Sequence, residues 1–135
     1  MPGSRWVSVG LHGCSLKCSF CQNESISQHF PTAGCPRRTP GDLWSLVIAR
    51  SAAGVVFTYN EPTIHLEYLL SVAQHRLATK VAIKTNGFVT RKTLDQLTPW
   101  ISAFNVDVKG DDKEYRSVCE GSLAPVLETV EHLAE

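Results

Sequence analysis

Strand signals and helix signals alternate four times along this chain, and that alternation leaves few folds open. Arg5 to Leu11 reads as a first strand, with Trp6, Val7, Val9 and Leu11 apolar. Gly54 to Tyr59 is an almost wholly apolar run, the mark of a buried parallel strand. Lys80 to Thr85 gives a third strand, closed by Asn86-Gly87, and Ile101 to Val108 a fourth, closed by Lys109-Gly110. Helices lie between them. Thr39 followed by Pro40 is a cap with proline in the first turn, and Leu43, Leu46 and Val47 then step at helical spacing. Pro62 opens the next helix, where Leu66, Leu69, Leu70 and Ala73 share one face. Thr90 caps a short helix with Leu94 and Leu97, stopped by Pro99, and Val126, Leu127, Val130 and Leu133 mark the last. The predicted order βαβαβαβα is of the α/β class, with parallel strands and right-handed crossovers. The 135 residues fit one domain, 1–135. A closed eight-stranded α/β barrel needs about 200 residues or more and is excluded.

This order also says where chemistry belongs. Parallel sheets bind ligands at the carboxyl ends of their strands. Four polar clusters fall there: a cysteine-bearing loop over residues 12–40, Asn60-Glu61, Thr85-Asn86-Gly87, and Asp107 with Lys109. Scatter would have left some at the opposite end. The loop is punctuated by Pro31, Gly34, Pro36 and Pro40. Composition removes other partners. With 13 basic and 13 acidic side chains the chain has no net field to gather nucleic acid or an anionic membrane. No apolar run approaches the roughly 20 residues of a membrane span. The first residues lack the apolar stretch of a signal peptide, so a soluble cytoplasmic domain is expected.

Five cysteines are an odd number for a disulfide framework. Cys14, Cys18 and Cys21 crowd into a C-x3-C-x2-C loop, while Cys35 and Cys119 stand apart. Three thiolates on a tight loop can hold three irons of a four-iron cluster and leave the fourth open, whereas electron-transfer clusters usually take four cysteines. The competing use is a structural zinc site, which takes four ligands, with Cys35 or His29 as the fourth. Free buried cysteines behave as small hydrophobes, the role expected of Cys35 and Cys119.

The C-x3-C-x2-C loop after a first strand, with Phe20 before its third cysteine, resembles the radical S-adenosylmethionine (SAM) superfamily. The segments GVVFTYNEPTI, KTNGFVT, FNVDVKG and the tail from Tyr115 extend the resemblance over nearly the whole chain. The forms CQN, TYNEPT and NVDVKG are most similar to AmmeMemoRadiSam-type enzymes, relatives of the pyruvate formate-lyase activases. The resemblance implies a partial TIM-type barrel. Four βα units would be a half barrel, a shortened radical SAM core, and the edge of the fourth strand would invite a homo-oligomer or mark a fragment.

It also implies roles. Cys14, Cys18 and Cys21 would bind a four-iron, four-sulfur (4Fe-4S) cluster, with SAM on the open iron. Phe20 would lie near the adenine. Glu61, beside Asn60, would receive the SAM amino group, a carboxylate acceptor for an ammonium-like donor. Its other use is that of a helix N-terminal acid. Asp107 would contact ribose hydroxyls or a monovalent cation, and Lys109 the SAM carboxylate; two apart on a strand, they share a face and can also pair with each other. Thr85 and Asn86 end the third strand, and Gly87 suits a turn with positive φ. The activases carry an acid where this chain has Lys84, whose ammonium either supplies the cation's charge or faces the helices. His12 reads as a hydrogen-bonded strand-end residue.

The activity implied is reductive cleavage of SAM to a 5′-deoxyadenosyl radical that abstracts hydrogen from a substrate the sequence does not name. No catalytic residue is expected beyond the cluster and SAM ligands. A flavodoxin or ferredoxin would donate the electron. The rivals are a glycyl-radical-enzyme activase and a non-catalytic zinc- or iron-sulfur-stabilised interaction domain.

Overall fold

The structure, a computed structural model, describes residues 3–29, 34, 35, 37–75 and 79–135. Part of the cysteine loop, including Pro31 and Pro36, lies outside the described residues. Four strands, β1 (Val7–Val9), β2 (Gly54–Phe57), β3 (Lys80–Thr85) and β4 (Ala103–Val106), form one all-parallel sheet in the order β1-β2-β3-β4. Each connection therefore moves one strand along, so the carboxyl ends of all four strands meet one rim. The helices are α1 (Glu24–Ser27), α2 (Pro40–Ala49), α3 (Leu66–Gln74), α4 (Arg91–Leu97), α5 (Asp112–Val118) and α6 (Ala124–Ala134). None of the described helices is long and apolar enough to cross a membrane.

The local rules account for most of these elements. Thr39 and Asp42 form a reciprocal capping box at α2, with Pro40 in its first turn. Thr90 caps α4 by accepting from the Thr93 amide. The main core lies between one face of the sheet and α2, α3 and α4. Val55 of β2 is in register with Val81 of β3, and Phe57 with Ile83. All four are buried against Leu43, Val47, Leu69, Val72 and Leu97. Buried apolar side chains of this size contribute about 1.5–3 kcal/mol each, before the entropy of ordering them. Gly54 is fixed by close approach, since a Cβ there would collide with the Lys80 carbonyl. A smaller core sits under the cysteine loop, where Leu16, Tyr115, Cys119 and Val126 pack with Cys14, Cys18 and Phe88.

Four expectations need correction. The first and fourth strands are shorter than Arg5–Leu11 and Ile101–Val108: at their carboxyl ends the chain leaves the ladder to build rim loops, and at their amino ends Arg5 with Trp6 and Ile101 with Ser102 also lie outside the strands. Pro62 opens a single 3₁₀ turn, Pro62–His65, ahead of α3. Two helices, α1 and α5, interrupt the simple alternation. The second strand is not covered on both faces throughout: Val56 is partly exposed, and next to it on the sheet Lys84, Ala103 and Asn105 are exposed.

Candidate functional site

The rim holds an open cavity of about 470 Å³. Cys14, Cys18, Phe20 and Cys21 line it from the loop after β1, and Asn60 from the end of β2. Thr85 and Asn86 line it from β3, and Asp107 and Lys109 from just beyond β4. The predicted site residues thus meet in one place, with Glu61 the exception.

Glu61 lies beneath the floor, wholly buried. One carboxylate oxygen accepts from the Thr63 amide at 3.1 Å, the Thr63 hydroxyl at 2.7 Å and the Thr85 hydroxyl at 2.9 Å. The other accepts from the Asn86 amide at 2.7 Å. A buried carboxylate is tolerable only with partners of this kind. The expected contact with a SAM amino group is therefore not prepared here: Glu61 does not line the cavity, and its four donors all come from the protein. It works as a helix-start acid and as a strut joining the ends of β2 and β3.

Asn86 carries that strut to the cysteines. Its side-chain amide donates to the Ser15 hydroxyl at 3.1 Å and approaches the Cys14 sulfur at 3.5 Å, while its carbonyl accepts from the Phe88 amide. Gly87 then turns with φ +75°, as expected, and a Cβ there would press within 2.8 Å of Val106. Asn60 grips the loop instead: it accepts from the Leu11 amide at 3.0 Å and donates to the Gly13 carbonyl at 2.8 Å. Gln28 donates to the Leu16 carbonyl at 2.8 Å. The loop is held in shape by the protein itself.

Asp107 and Lys109 pair directly, Nζ to Oδ2 at 2.6 Å, and Lys84 stands 3.9 Å from the same oxygen. Lys84 thus faces the cavity rather than the helices. The Lys109 hydrogen bond, assisted by both ammonium charges, holds Asp107 below the usual carboxylate range. Burial opposes the charge on Lys109, but the Asp107 carboxylate outweighs it and raises the lysine above its ordinary value. Burial raises Cys14 despite help from backbone and Asn86 donors. Burial and the neighbouring Cys119 thiol push Cys18 up to about 12. Binding a metal group here must therefore displace protons.

Two neighbours, Tyr59 and Tyr115, were not anticipated. Tyr59 lines the cavity, 52% exposed, with φ +75°. Its backbone occupies the left-handed region, a conformation unusual for a bulky residue. Tyr115 accepts from the Lys109 amide at 3.0 Å. Cys119 is fully buried behind Cys18 and packs as expected of a small hydrophobe. Cys35 is elsewhere: it lines a second cavity beside β1 and lies 3.6 Å from His12 Nε2. His12 is not fully satisfied, since its Nδ1 is buried without a hydrogen-bond partner. His29 is exposed. Among the described residues, no three Cys, His, Asp or Glu side chains are gathered tightly enough to share one ion.

The sequence profile of the Radical SAM superfamily matches residues 9–135. An uncharacterized protein, MJ0808, of Methanocaldococcus jannaschii is 36% identical over 133 residues, covering 95% of this chain and 39% of that protein. The 7-carboxy-7-deazaguanine synthase of Bacteroides thetaiotaomicron is 30% identical over 100 residues, covering 74% of this chain and 50% of the synthase. The chain thus spans half or less of the length of these curated relatives.

Proposed function

Because the chain belongs to the radical SAM superfamily, we propose that its rim cavity binds a four-iron, four-sulfur cluster together with SAM, and that it serves reductive SAM cleavage. The observation that carries this reading is the convergence of three loop cysteines with Asn86, Asp107 and Lys109 on one cavity. The donor set fits the cluster: soft thiolates, three in number, beside a space far larger than a single ion requires. The zinc reading is less well supported. Its fourth ligand would be Cys35, which lines another cavity, or His29, which is exposed.

When bound, the cluster and SAM supply one-electron chemistry that ends in hydrogen abstraction from a substrate. The chain's own residues bind and orient. Lys109 is poised to release Asp107 and meet a carboxylate, and Asp107 can then accept from ribose hydroxyls. Phe20, half exposed at the mouth, offers a flat apolar face to an adenine. Asn86 donates toward the Cys14 sulfur, a contact that tunes a thiolate ligand. Glu61 and Asn60 are positioning residues, holding β3's end and the loop. The subgroup reading, AmmeMemoRadiSam-type or a glycyl-radical-enzyme activase, rests on the TYNEPT and NVDVKG forms, the former being favoured. A flavodoxin or ferredoxin is the proposed donor.

The test is anaerobic reconstitution with iron and sulfide, metal analysis, and incubation with SAM and dithionite. About four irons per chain, with release of methionine and 5′-deoxyadenosine, is the expected result. One tightly bound zinc and no SAM turnover would overturn it.

A further inference from the structure

The sheet has a second face, opposite the one that packs on α2, α3 and α4, and the strand register sets a pattern on it. Ser8, Val56, Ala82 and Ala103 stand side by side across all four strands. All four are exposed or partly exposed, and none has a large side chain, so the row is shallow and mainly apolar. Two residues further along, and so on the same face, Lys84 is in register with Asn105, both of them exposed. This second row stands at the rim, where Lys84 enters the cavity. The charge there is uneven. Among the described residues the cavity is lined by two lysines and a single acid, in a chain whose basic and acidic side chains balance at 13 each. That acid, Asp107, is engaged by Lys109 at 2.6 Å on the same oxygen that Lys84 faces at 3.9 Å. The longer distance is beyond hydrogen-bond reach, so the donors of Lys84 are not committed to Asp107. Glu61 lies beneath the floor, outside the cavity lining, with four protein donors of its own.

We infer that this face binds the substrate, and that the substrate is a small organic anion: an apolar carbon skeleton lying over Val56, Ala82 and Ala103, with a carboxylate or phosphate group on Lys84. Lys109 is the cation poised for the carboxylate of SAM, and Lys84 is the second cation, left for a second anion. A lysine ammonium is a compact charge with three rotatable donors, so it takes either oxyanion without the planar fit that an arginine fork imposes. The Asn105 amide beside it adds a donor. The shallow apolar row favours a carbon skeleton over an inorganic ion, because covering it removes apolar area from water. Lys84 is thus a specificity-determining residue. That the bound anion is a substrate rests on the cluster-and-SAM reading; that the face binds an anion does not.

The experiment is equilibrium dialysis of the full-length chain, iron-free and iron-loaded, without reductant, against hexanoate, hexyl phosphate and neutral hexanamide. At least one of the two anions should bind about fivefold or more tightly than the amide, the size of one partly exposed charge-assisted contact. The tighter of the two identifies the oxyanion. Lys84→Met should abolish the preference and Lys84→Arg should keep it. Lys92→Met, on the exposed side of α4, should leave it unchanged. Equal binding of the amide, or a preference that survives Lys84→Met, overturns the inference. A resonance map of the iron-free wild-type chain decides the matter without any variant: the preferred anion should shift the amides of Ala82, Lys84 and Asn105, and shifts confined to other residues overturn it. Saturating SAM should leave the preference of the iron-loaded chain in place, whereas displacement of the anion by SAM would put it on Lys109 and overturn it too. If the chain takes up no iron yet shows the Lys84-dependent preference, the anion site stands and the cluster reading fails. If iron and SAM bind and the preference is absent, the inference alone fails.

Discussion

The sheet–helix core and the rim cavity are built on opposite principles. In the core, Val55, Phe57, Leu69, Val72, Val81 and Leu97 are wholly buried apolar side chains. Their contribution is area removed from water, which is non-directional and relaxed. At the carboxyl ends of the same strands, the rim buries a carboxylate, puts a tyrosine in a left-handed backbone region and raises the pKa of two thiols. Its groups are held by directional bonds, and several are less comfortable than they would be in water or in another conformation. Strain of that kind persists only where the surroundings over-determine it. Here Asn60 does so, gripping the loop after β1 from the residue next to Tyr59. The core supplies stability, and the rim uses some of it to hold a site in shape.

The contrast can be broken by substitutions that should move stability and binding separately. The largest effect is expected in the core. Leu69→Ala removes a fully buried side chain and should destabilise by about 2–5 kcal/mol in urea unfolding. It should leave SAM affinity of the folded, iron-loaded protein unchanged. A parallel loss of affinity would mean that the two regions are not separable.

Glu61→Gln is next. It places an amide nitrogen against one of the N–H donors that the carboxylate now accepts. Denaturant unfolding should show a loss of about 1–3 kcal/mol. Equilibrium dialysis should show weaker SAM binding as well, because Asn86 and Thr85 lose their anchor. Unchanged binding would remove Glu61 from the positioning role.

Tyr59→Gly should act with the opposite sign. Glycine adopts φ +75° without a Cβ penalty, so the variant should be more stable by about 1 kcal/mol, a rise of roughly 3–5 °C in melting temperature. A lower melting temperature would show that the side chain's contacts outweigh the strain.

The smallest effect belongs to the Asp107–Lys109 pair. Asp107 is held below the usual carboxylate range by the Lys109 hydrogen bond. Its contribution is therefore present above the ordinary carboxylate pKa of about 4 and fades as pH falls through the depressed value. Its carboxylate is 44% exposed, so screening limits the contribution to under about 1 kcal/mol. Comparison of wild type and Asp107→Asn should show that gap at pH 7 and little at pH 2. A gap that grows on acidification would contradict the sign.

The core was legible because periodicity reports it: Leu66, Leu69 and Ala73 lie on one helix face, and β2 reads as an apolar run. The meeting of the polar clusters on one rim was legible too, from the carboxyl-end rule applied to βα order. What escaped was local geometry without a periodic trace. In α5, Tyr115 alone is buried, so no stripe announced the helix, although Asp111 and Glu114 form a capping box that could have. A carboxylate's burial depends on Thr63, Thr85 and Asn86 converging from separate segments, which no spacing reveals. Lys84 was left between two faces and proved to share Asp107 with Lys109. The sign of φ at Tyr59 belongs to the turn after β2, which leaves no periodic trace in the sequence.

The central claim is that one cavity holds a cluster and SAM in contact. Low-temperature electron paramagnetic resonance of the reduced, anaerobically reconstituted chain tests it most directly. The account predicts a four-iron signal whose g-values shift when SAM is added, and no such signal after Cys18→Ala. A four-iron signal that ignores SAM, or its absence from a wild-type chain carrying zinc, would contradict it.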